Sequence, residues 1–347
     1  MRTLASFVLA TVSALVVFGC ASASSPQKPE PPRPATGTSS ALQQALQSIV
    51  DGADGTVAVT VRDLSTGEHA SIRGEVRLPM MSVFKLPLAV VTLSMIEEGK
   101  LDLAQHVEIK EGELRPGVSP LADEWHEGQH APTLETMLVR MLQDSDNTAG
   151  DKLVALGGGG PAITARLRSL GVQGIDVAEQ EIEIDARMHC PGASPPPAGW
   201  TPMDVDRCPK PTPEVALAAA RREIVSCPNG ATTDALVDML AALDRGALLS
   251  DTSRAWLHAT LAGVKTGVHR LRAGLPEGTR IEHKTGTGET VEGLNVATND
   301  VGVVTLPSGG RFAIAVLTAG SHADDATREK VIASLAKASW GSFTRHD

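Results

Sequence analysis

Strand-like residue patterns occur near both ends of this chain, and the long stretch between them has the spacing of helices and loops. Alternating or continuous apolar residues predict strands at 56–63, 68–73, 280–284, 300–306 and 311–318. The intervening stretch, roughly 82–275, reads mostly as helices. Strands at both termini around a helical middle predict an α+β fold, in which an antiparallel sheet is completed late and an all-α region is inserted into it.

Helices are predicted to flank the sheet at both ends of the folded domain. Residues 41–50 have helical spacing, and residues 324–340 begin with acidic and end with basic side chains, as the helix dipole favours. The expected domain covers 41–341, with an α/β part at 41–75 and 276–341 and a helical part at 76–275.

The charge balance excludes one class of partner. The chain has 31 Lys and Arg against 41 Asp and Glu, for a formal net charge of −10. It therefore has no basic field with which to gather nucleic acid, and we expect no nucleic-acid partner. Tyrosine is absent, so a site in this chain works without a tyrosine acid or base.

The N-terminus has the pattern of a targeting segment. Arg2 is followed by an apolar run at 7–18 and by Cys20, which resembles a bacterial lipoprotein signal cut before the cysteine. The alternative is an ordinary cleaved signal in which Cys20 is incidental. Residues 20–40 are rich in Ser and Pro and predict a tether. We therefore expect residues 1–19 to be removed and the protein to be periplasmic, anchored by lipid on Cys20 to the outer membrane.

A serine three residues before a lysine at a helix start puts both side chains on one face, where the lysine can act as a base. Three such pairs occur: Ser25 with Lys28, Ser82 with Lys85, and Ser334 with Lys337. The first lies in the tether and the last within a helix. Ser82 precedes an apolar helix that ends at Gly99, so it is the candidate nucleophile. The alternative is a helix cap with a solvated lysine.

Two further motifs carry polar side chains. Ser145-Asp146-Asn147 stands between apolar stretches, where the alternative is a helix cap. Lys284-Thr285-Gly286 ends a predicted strand, and its lysine, hydroxyls and backbone N–H groups suit a carboxylate. A second copy, Lys265-Thr266-Gly267, ends a predicted helix that starts near 251, and we interpret it as structural.

The three motifs, in this order, form the set found in class A β-lactamases and penicillin-binding proteins. The chain resembles class A serine β-lactamases over about 41–340, and the phrases at 81–85, 283–287 and 297–302 are similar to the PER and VEB type. The resemblance implies a β-lactamase/transpeptidase-like fold, a β-lactam as the small-molecule substrate, a monomer, and no cofactor or metal. We expect the protein to contact the membrane only through the lipid on Cys20.

The resemblance also implies roles for individual residues. Ser82 is the implied nucleophile, Ser145 the proton donor to the lactam nitrogen, and Lys85 or Glu181 through a water the acylation base. Glu181 is the residue implied to activate water for deacylation. The implied substrate-binding residues are Asn147 for the acylamido group and Lys284, Thr285, Gly286, Thr287 and Arg270 for the carboxylate.

Two of these assignments have open alternatives in the sequence. Acidic residues alternate with isoleucine around Glu181, which is also the pattern of an exposed strand, and Glu179 and Glu183 compete for the role. Asp185 stands where many relatives have asparagine, which puts deacylation in doubt. The alternative for Arg270 is a surface charge on a helix.

A different chemistry is suggested by residues 126–130, which match the zinc-protease pattern H-E-x-x-H. Gly128 within the motif and Pro132 after it predict a loop rather than the stable helix that zinc ligation needs. We therefore expect no metal.

Beyond Cys20 the chain has three cysteines, Cys190, Cys208 and Cys227, in a compartment that permits disulfides. One bridge plus one free thiol is expected, and Cys190 with Cys208 is favoured over the other pairings. Compared with the family, residues 186–230 resemble an insertion in the omega loop, and the proline-rich part at 190–213 is predicted to be a loop.

Overall fold

A computed structural model describes residues 37, 40–126, 130–191 and 200–344 of the chain. All of them belong to Pro34–Asp347, the second of two compact units, and the first unit, Met1–Arg33, lies outside them. The predicted signal segment, Cys20 and nearly all of the tether therefore lie outside the described residues. Within the described part, every helix is too short or too polar to cross a bilayer.

The described residues form helices and strands in the order expected for an α+β fold. The helices are α1 Ser40–Asp51, α2 Lys85–Glu97, α3 Pro120–Asp123, α4 Leu134–Gln143, α5 Asn147–Leu156, α6 Gly160–Ser169, α7 Glu181–His189, α8 Pro202–Asp206, α9 Pro213–Ser226, α10 Thr233–Asp244, α11 Asp251–Ala262 and α12 Asp325–Phe343. The strands are β1 Thr56–Asp63, β2 His69–Ile72, β3 Leu78–Pro79, β4 Gly230–Ala231, β5 Ile281–Thr287, β6 Thr290–Val291, β7 Leu294–Asn295, β8 Thr298–Thr305 and β9 Arg311–Ala319. Short 3-10 helices lie at Met81–Phe84, Glu111–Glu113 and Leu271–Gly274.

The main sheet has five antiparallel strands in the order β2-β1-β9-β8-β5. Strand β1 pairs over its whole length with β9, from Thr56 opposite Ala319 to Asp63 opposite Phe312. The sheet thus joins strands from both ends of the domain. Its last three strands, β5, β8 and β9, follow the helical region in the sequence. This confirms the predicted fold class.

Alternation along the strands sorts side chains between two apolar cores, one on each face of the sheet. In β9, Phe312, Ile314 and Val316 pack into a cluster with α1 and α12. Their neighbours Ala313 and Ala315 face a larger cluster that contains α2, α4 and α10. The sheet is therefore covered on both faces, and its edge strand β5 is held in a fixed position beside the helical region.

The proline-rich segment at 190–213 is not wholly a loop, so that prediction was wrong in part. Pro202 begins the short helix α8, and Asp204 accepts hydrogen bonds from the Thr201 backbone N–H at 2.8 Å and hydroxyl at 2.7 Å. Proline suits the first helical turn because its missing N–H has no helical partner there. Pro213 starts α9 in the same way. Residues 192–199 lie outside the described part.

Candidate active site

Ser82 lies in the 3-10 helix that leads directly into α2, and Lys85 is the first residue of α2. The Lys85 side chain is completely buried. Its Nζ donates to Ser82 Oγ at 3.1 Å, to the Ser145 carbonyl at 2.7 Å and to Asn147 Oδ1 at 2.6 Å. A buried polar nitrogen is costly unless it is hydrogen-bonded, and the Lys85 nitrogen has three partners. The predicted pairing of Ser82 with Lys85 is present.

The Ser145-Asp146-Asn147 motif caps a helix and also contributes to the site. Asp146 is the N-cap of α5 and accepts the Ala149 backbone N–H at 2.8 Å. Ser145 precedes it in the left-handed region, with φ of 65°. This conformation places Ser145 Oγ 3.0 Å from Lys284 Nζ. The turn that caps α5 through Asp146 therefore also places Ser145 beside Lys284, so the capping and functional interpretations both apply to it.

Strand β5 carries the Lys284-Thr285-Gly286 motif against the Ser82 turn. Lys284 is completely buried, and its burial, with the Lys85 charge nearby, lowers its pKa well below the usual value for lysine. A Cβ at Gly286 would lie 2.3 Å from the Met80 carbonyl oxygen and 3.2 Å from the Ser82 nitrogen. Only glycine allows the strand to come this close to the Ser82 backbone.

Glu181 begins α7, and its position depends on a buried carboxylate from another helix. Asp151 of α5 accepts the backbone N–H groups of Glu181 at 2.6 Å and Ile182 at 3.2 Å, which caps α7. Glu181 Oε1 then lies 3.4 Å from Ser82 Oγ and 3.3 Å from Lys85 Nζ. The exposed-strand alternative for this segment was wrong.

The two competing glutamates point elsewhere. Glu179 forms an ion pair with Arg187, and Glu183 accepts the Gln180 backbone N–H at 2.8 Å in a capping box. Both carboxylates are thus used in holding α7. Of the three acids, Glu181 is the one within reach of Ser82.

Arg270 is buried beneath the end of β5, so the surface-charge alternative was wrong. Its guanidinium donates to the carbonyls of Gly286 at 3.1 Å and Asn299 at 3.0 Å, and to Thr287 Oγ1 at 2.7 Å. Its Nε forms an ion pair with Glu329 at 3.0 Å. Arg270 therefore adds positive charge beside the hydroxyls of β5 and fixes the orientation of Thr287.

Sequence reasoning missed a contribution from the second Lys-Thr-Gly copy. Helix α11 ends at Ala262, before that copy, and Thr266 Oγ1 hydrogen-bonds Thr285 Oγ1 at 2.6 Å. Both threonines line the pocket. The repeated motif was the available signal, but a helix terminus explained it equally well.

Sequence reasoning also missed a buried pair behind β5. His283 Nδ1 lies 2.9 Å from Asp300 Oδ1, and both side chains are completely buried. Asp300 Oδ2 also accepts the Leu271 backbone N–H at 3.2 Å. The pair therefore connects β5, β8 and the turn that carries Arg270.

One cavity of about 620 Å³ gathers these groups, with an open mouth. It is lined by side chains from every predicted motif: Ser82, Ser145, Asn147, Glu181, Thr285 and Thr287. A volume of this size is typical of a site for a small organic molecule.

Metal ligation has no support in the described residues. Residues 127–129 of the H-E-x-x-H motif lie outside them, and elsewhere in the described part no three His, Cys, Asp or Glu side chains group as metal ligands. Cys190 and Cys208 form a disulfide, as predicted, and Cys227 is a free, buried cysteine.

Asp185 lies one turn after Glu181 on α7 and lines the same cavity. Burial, followed by the charge of Glu181, raises the pKa of Asp185 to about 7. The folded protein therefore binds more protons than the unfolded chain between about pH 4 and 7. In that window the contribution of Asp185 to the stability falls as pH rises.

The variant Asp185→Asn is expected to be more stable than the wild type at pH 8, by on the order of 2 kcal/mol, and equal to it near pH 4. The amide cannot ionise, so it removes the cost of a buried charge. Urea unfolding at both pH values measures this difference. The same gain at both values would contradict the assignment.

A serine hydroxyl next to a lysine and a carboxylate, with a second serine and lysine facing it, is an arrangement that suits nucleophilic serine catalysis. Fold and site together therefore define a candidate serine-nucleophile site between an antiparallel sheet and a helical region. Residues 41–343 match the model of the beta-lactamase enzyme family. The chain belongs to this family, in its class A.

Individual relatives show the same relationship. The extended-spectrum beta-lactamase PER-1 of Pseudomonas aeruginosa is 29% identical over 300 residues, 86% of each chain. Beta-lactamase VEB-1 of the same organism is 28% identical and covers 87% of this chain and 90% of its own. A beta-lactamase structure from Chitinophaga pinensis is 31% identical with a TM-score of 0.73, covering 87% of this chain and 99% of its own.

Proposed function

We propose that this protein is a serine hydrolase that opens the β-lactam ring of penicillins and cephalosporins through an acyl-enzyme on Ser82. The observation that carries the proposal is the position of Ser82 Oγ, 3.1 Å from Lys85 Nζ and 3.4 Å from Glu181 Oε1. The hydroxyl thus has two candidate bases within hydrogen-bonding distance. PER-1 and VEB-1, which carry the name beta-lactamase, support the same reaction class.

In acylation, Ser82 Oγ attacks the lactam carbonyl carbon, and its proton passes to Lys85 or, through a water, to Glu181. The backbone N–H groups of Ser82 and Thr287 stabilise the oxyanion, since β5 lies against the Ser82 turn at Gly286. The C–N bond then breaks, Ser145 gives its proton to the lactam nitrogen, and Ser145 recovers a proton from the base that took the one from Ser82. Lys284 Nζ donates to Ser145 Oγ at 3.0 Å, and this hydrogen bond favours the transfer because it stabilises the oxygen as the proton leaves.

In deacylation, Glu181 takes a proton from a water that attacks the ester of Ser82. The new C–O bond displaces Ser82 Oγ, which receives the proton held by Glu181, and the carboxylic acid product releases its remaining proton to solvent. The substrate's own carboxylate is held by Thr285, Thr287 and the charges of Lys284 and Arg270. Gly286 supplies the close approach of β5, and Asn147 binds the acylamido group.

A second function, a penicillin-binding protein that acylates but deacylates slowly, is favoured by one observation. Asp185, with a pKa of about 7, stands beside Glu181 and is charged in a large fraction of molecules at neutral pH. An ionised carboxylate has no N–H to donate, so Asp185 in this form cannot give the deacylating water the hydrogen bond that an asparagine amide would give.

The mass of the intact protein, followed over time with a penicillin, tests both functions. A transient or absent adduct with rapid loss of the penicillin supports the hydrolase. A stable adduct without turnover supports the penicillin-binding protein that deacylates slowly. If the protein forms no adduct and shows no turnover, both proposed functions are overturned. This result would favour a non-catalytic wall-binding lipoprotein.

We further propose a periplasmic location, with residues 1–19 removed and lipid on Cys20. The proposal rests on the sequence of this segment. The variant Cys20→Ala is expected to move the protein from the outer-membrane fraction to the soluble periplasmic fraction, because the lipid is its only expected anchor. Immunoblots of the two fractions measure this, with Cys227→Ala as the matched control. An unchanged membrane fraction for Cys20→Ala would contradict lipidation.

A further inference from the structure

Part of the cavity wall comes from a segment that the proposed chemistry does not use. Beyond Glu181, the second half of α7 contributes Ile184 and Met188 to the lining. The predicted insertion then contributes Val205, Cys208 and Pro211. The insertion therefore forms one side of the same cavity that holds Ser82.

Covalent and ionic contacts hold this wall in place. The Cys190–Cys208 disulfide joins the residue after α7 to the segment after α8. Arg187 of α7 forms an ion pair with the buried Glu223 of α9 at 2.8 Å. His189 Nε2 lies 2.9 Å from Glu289 Oε1, between β5 and β6. The wall is thus tied to α7, α9 and the end of the strand that carries Lys284.

An apolar cluster lies beneath the wall. Ile184 and Met188 pack with Ala219 and Ala220 of α9 and with Val296. Of these, Ile184, Met188 and Val296 also line the cavity. This part of the cavity therefore offers apolar surface, although Asp185, His189, Asp206, Lys210 and Glu223 also line it. Apolar surface in a cavity favours an apolar group of the ligand, because both lose contact with water.

We propose that the disulfide-linked insertion is the specificity-determining wall for the substrate's acyl side chain, and that it selects β-lactams whose side chain ends in an aromatic ring. The inference rests on the proposed function, since it assumes a lactam whose carboxylate is bound near β5. The ring of the side chain packs against Met188, Val205 and Pro211. A lactam nucleus without a side chain makes none of these contacts.

Two tryptophan substitutions on the same short helix test the proposal. Val205 lines the cavity, whereas Met203 is 61% exposed and does not line it. The substrates are benzylpenicillin and 6-aminopenicillanic acid, which has the same nucleus and no acyl side chain. We expect Val205→Trp to lower kcat/KM for benzylpenicillin by about tenfold or more and to leave that for the bare nucleus within about twofold. Met203→Trp is expected to leave both unchanged.

A double variant, Cys190→Ser with Cys208→Ser, releases the wall without filling the cavity. Both cysteines are replaced so that no unpaired thiol is left in the wall. We expect the ratio of kcat/KM for benzylpenicillin to that for 6-aminopenicillanic acid to fall several-fold, because the ring loses its packing surface. The folded state is checked by the circular dichroism of the variant.

The outcomes separate this inference from the proposed function. Suppose that the wild type hydrolyses both substrates and that the ratio of their kcat/KM values is unchanged in Val205→Trp and in the double variant. This result would overturn the proposed role of the wall and leave the proposed hydrolase function intact. An equal loss for both substrates in Val205→Trp would also overturn it. A wild-type protein that neither reacts with nor is acylated by either penicillin would overturn the proposed function and this inference with it.

Discussion

The Ser82→Ala variant is expected to show no acylation by a penicillin and a loss of β-lactam hydrolysis of about 10³-fold or more. Lys85 keeps its contacts with Ser145 and Asn147 in this variant, so the fold remains while the nucleophile is absent. Intact-protein mass after incubation with penicillin measures acylation, and a chromogenic cephalosporin measures turnover.

The chain supplies a matched control for this experiment. Ser334 has the same spacing to a lysine, Lys337, but it lies within α12, where its Oγ donates to the Lys330 carbonyl at 2.8 Å. Ser334→Ala is expected to keep full acylation and turnover. A penicillin adduct on Ser82→Ala, or the loss of activity in Ser334→Ala instead, would contradict the assignment of the nucleophile.

The Glu181→Gln variant is expected to accumulate acyl-enzyme, with steady-state hydrolysis slower by about 10²- to 10⁴-fold. The amide keeps the size of the side chain but cannot take a proton from water. A mass adduct that persists after the free penicillin is removed measures the block. If acylation is also slowed, Glu181 serves both steps, and the rate of adduct formation reports this.

Glu183→Gln and Glu179→Gln are the controls, because both acids lie on the same segment and hold α7 rather than reach Ser82. Each is expected to destabilise α7 by no more than about 1 kcal/mol and to leave no persistent adduct. A persistent adduct in Glu183→Gln but not in Glu181→Gln would show that the general base lies two residues further along the chain.

The sheet was largely predictable because its strands β1, β8 and β9 have one face in each of two apolar cores. The predicted strand at 56–63 matches β1, and the predicted strand at 311–318 matches β9 to within one residue. Alternation is a local signal that both cores reinforce. The alternation of acids and isoleucines before Asp185 indicated a strand wrongly, since Asp151 of α5 caps that segment into a helix.

The site was predictable only in part. The pairing of Ser82 with Lys85 depends on residues within one turn and follows from their spacing. The orientation of Arg270 depends on carbonyls of β5 and β8, and that of Thr266 on a hydroxyl of β5. Such contacts join residues far apart in sequence, and no local pattern records them. For Arg270, the family resemblance was the guide.

The sequence by itself predicted the candidate motifs, the order of strands and helices, and the fold class, because these depend on residue type and on short spacings. Only the tertiary structure decided which of three glutamates reaches Ser82, which cysteines pair, and that the insertion forms a wall of the cavity. These outcomes depend on packing between distant segments, where contacts such as the one between Asp151 and α7 form only when the whole domain folds.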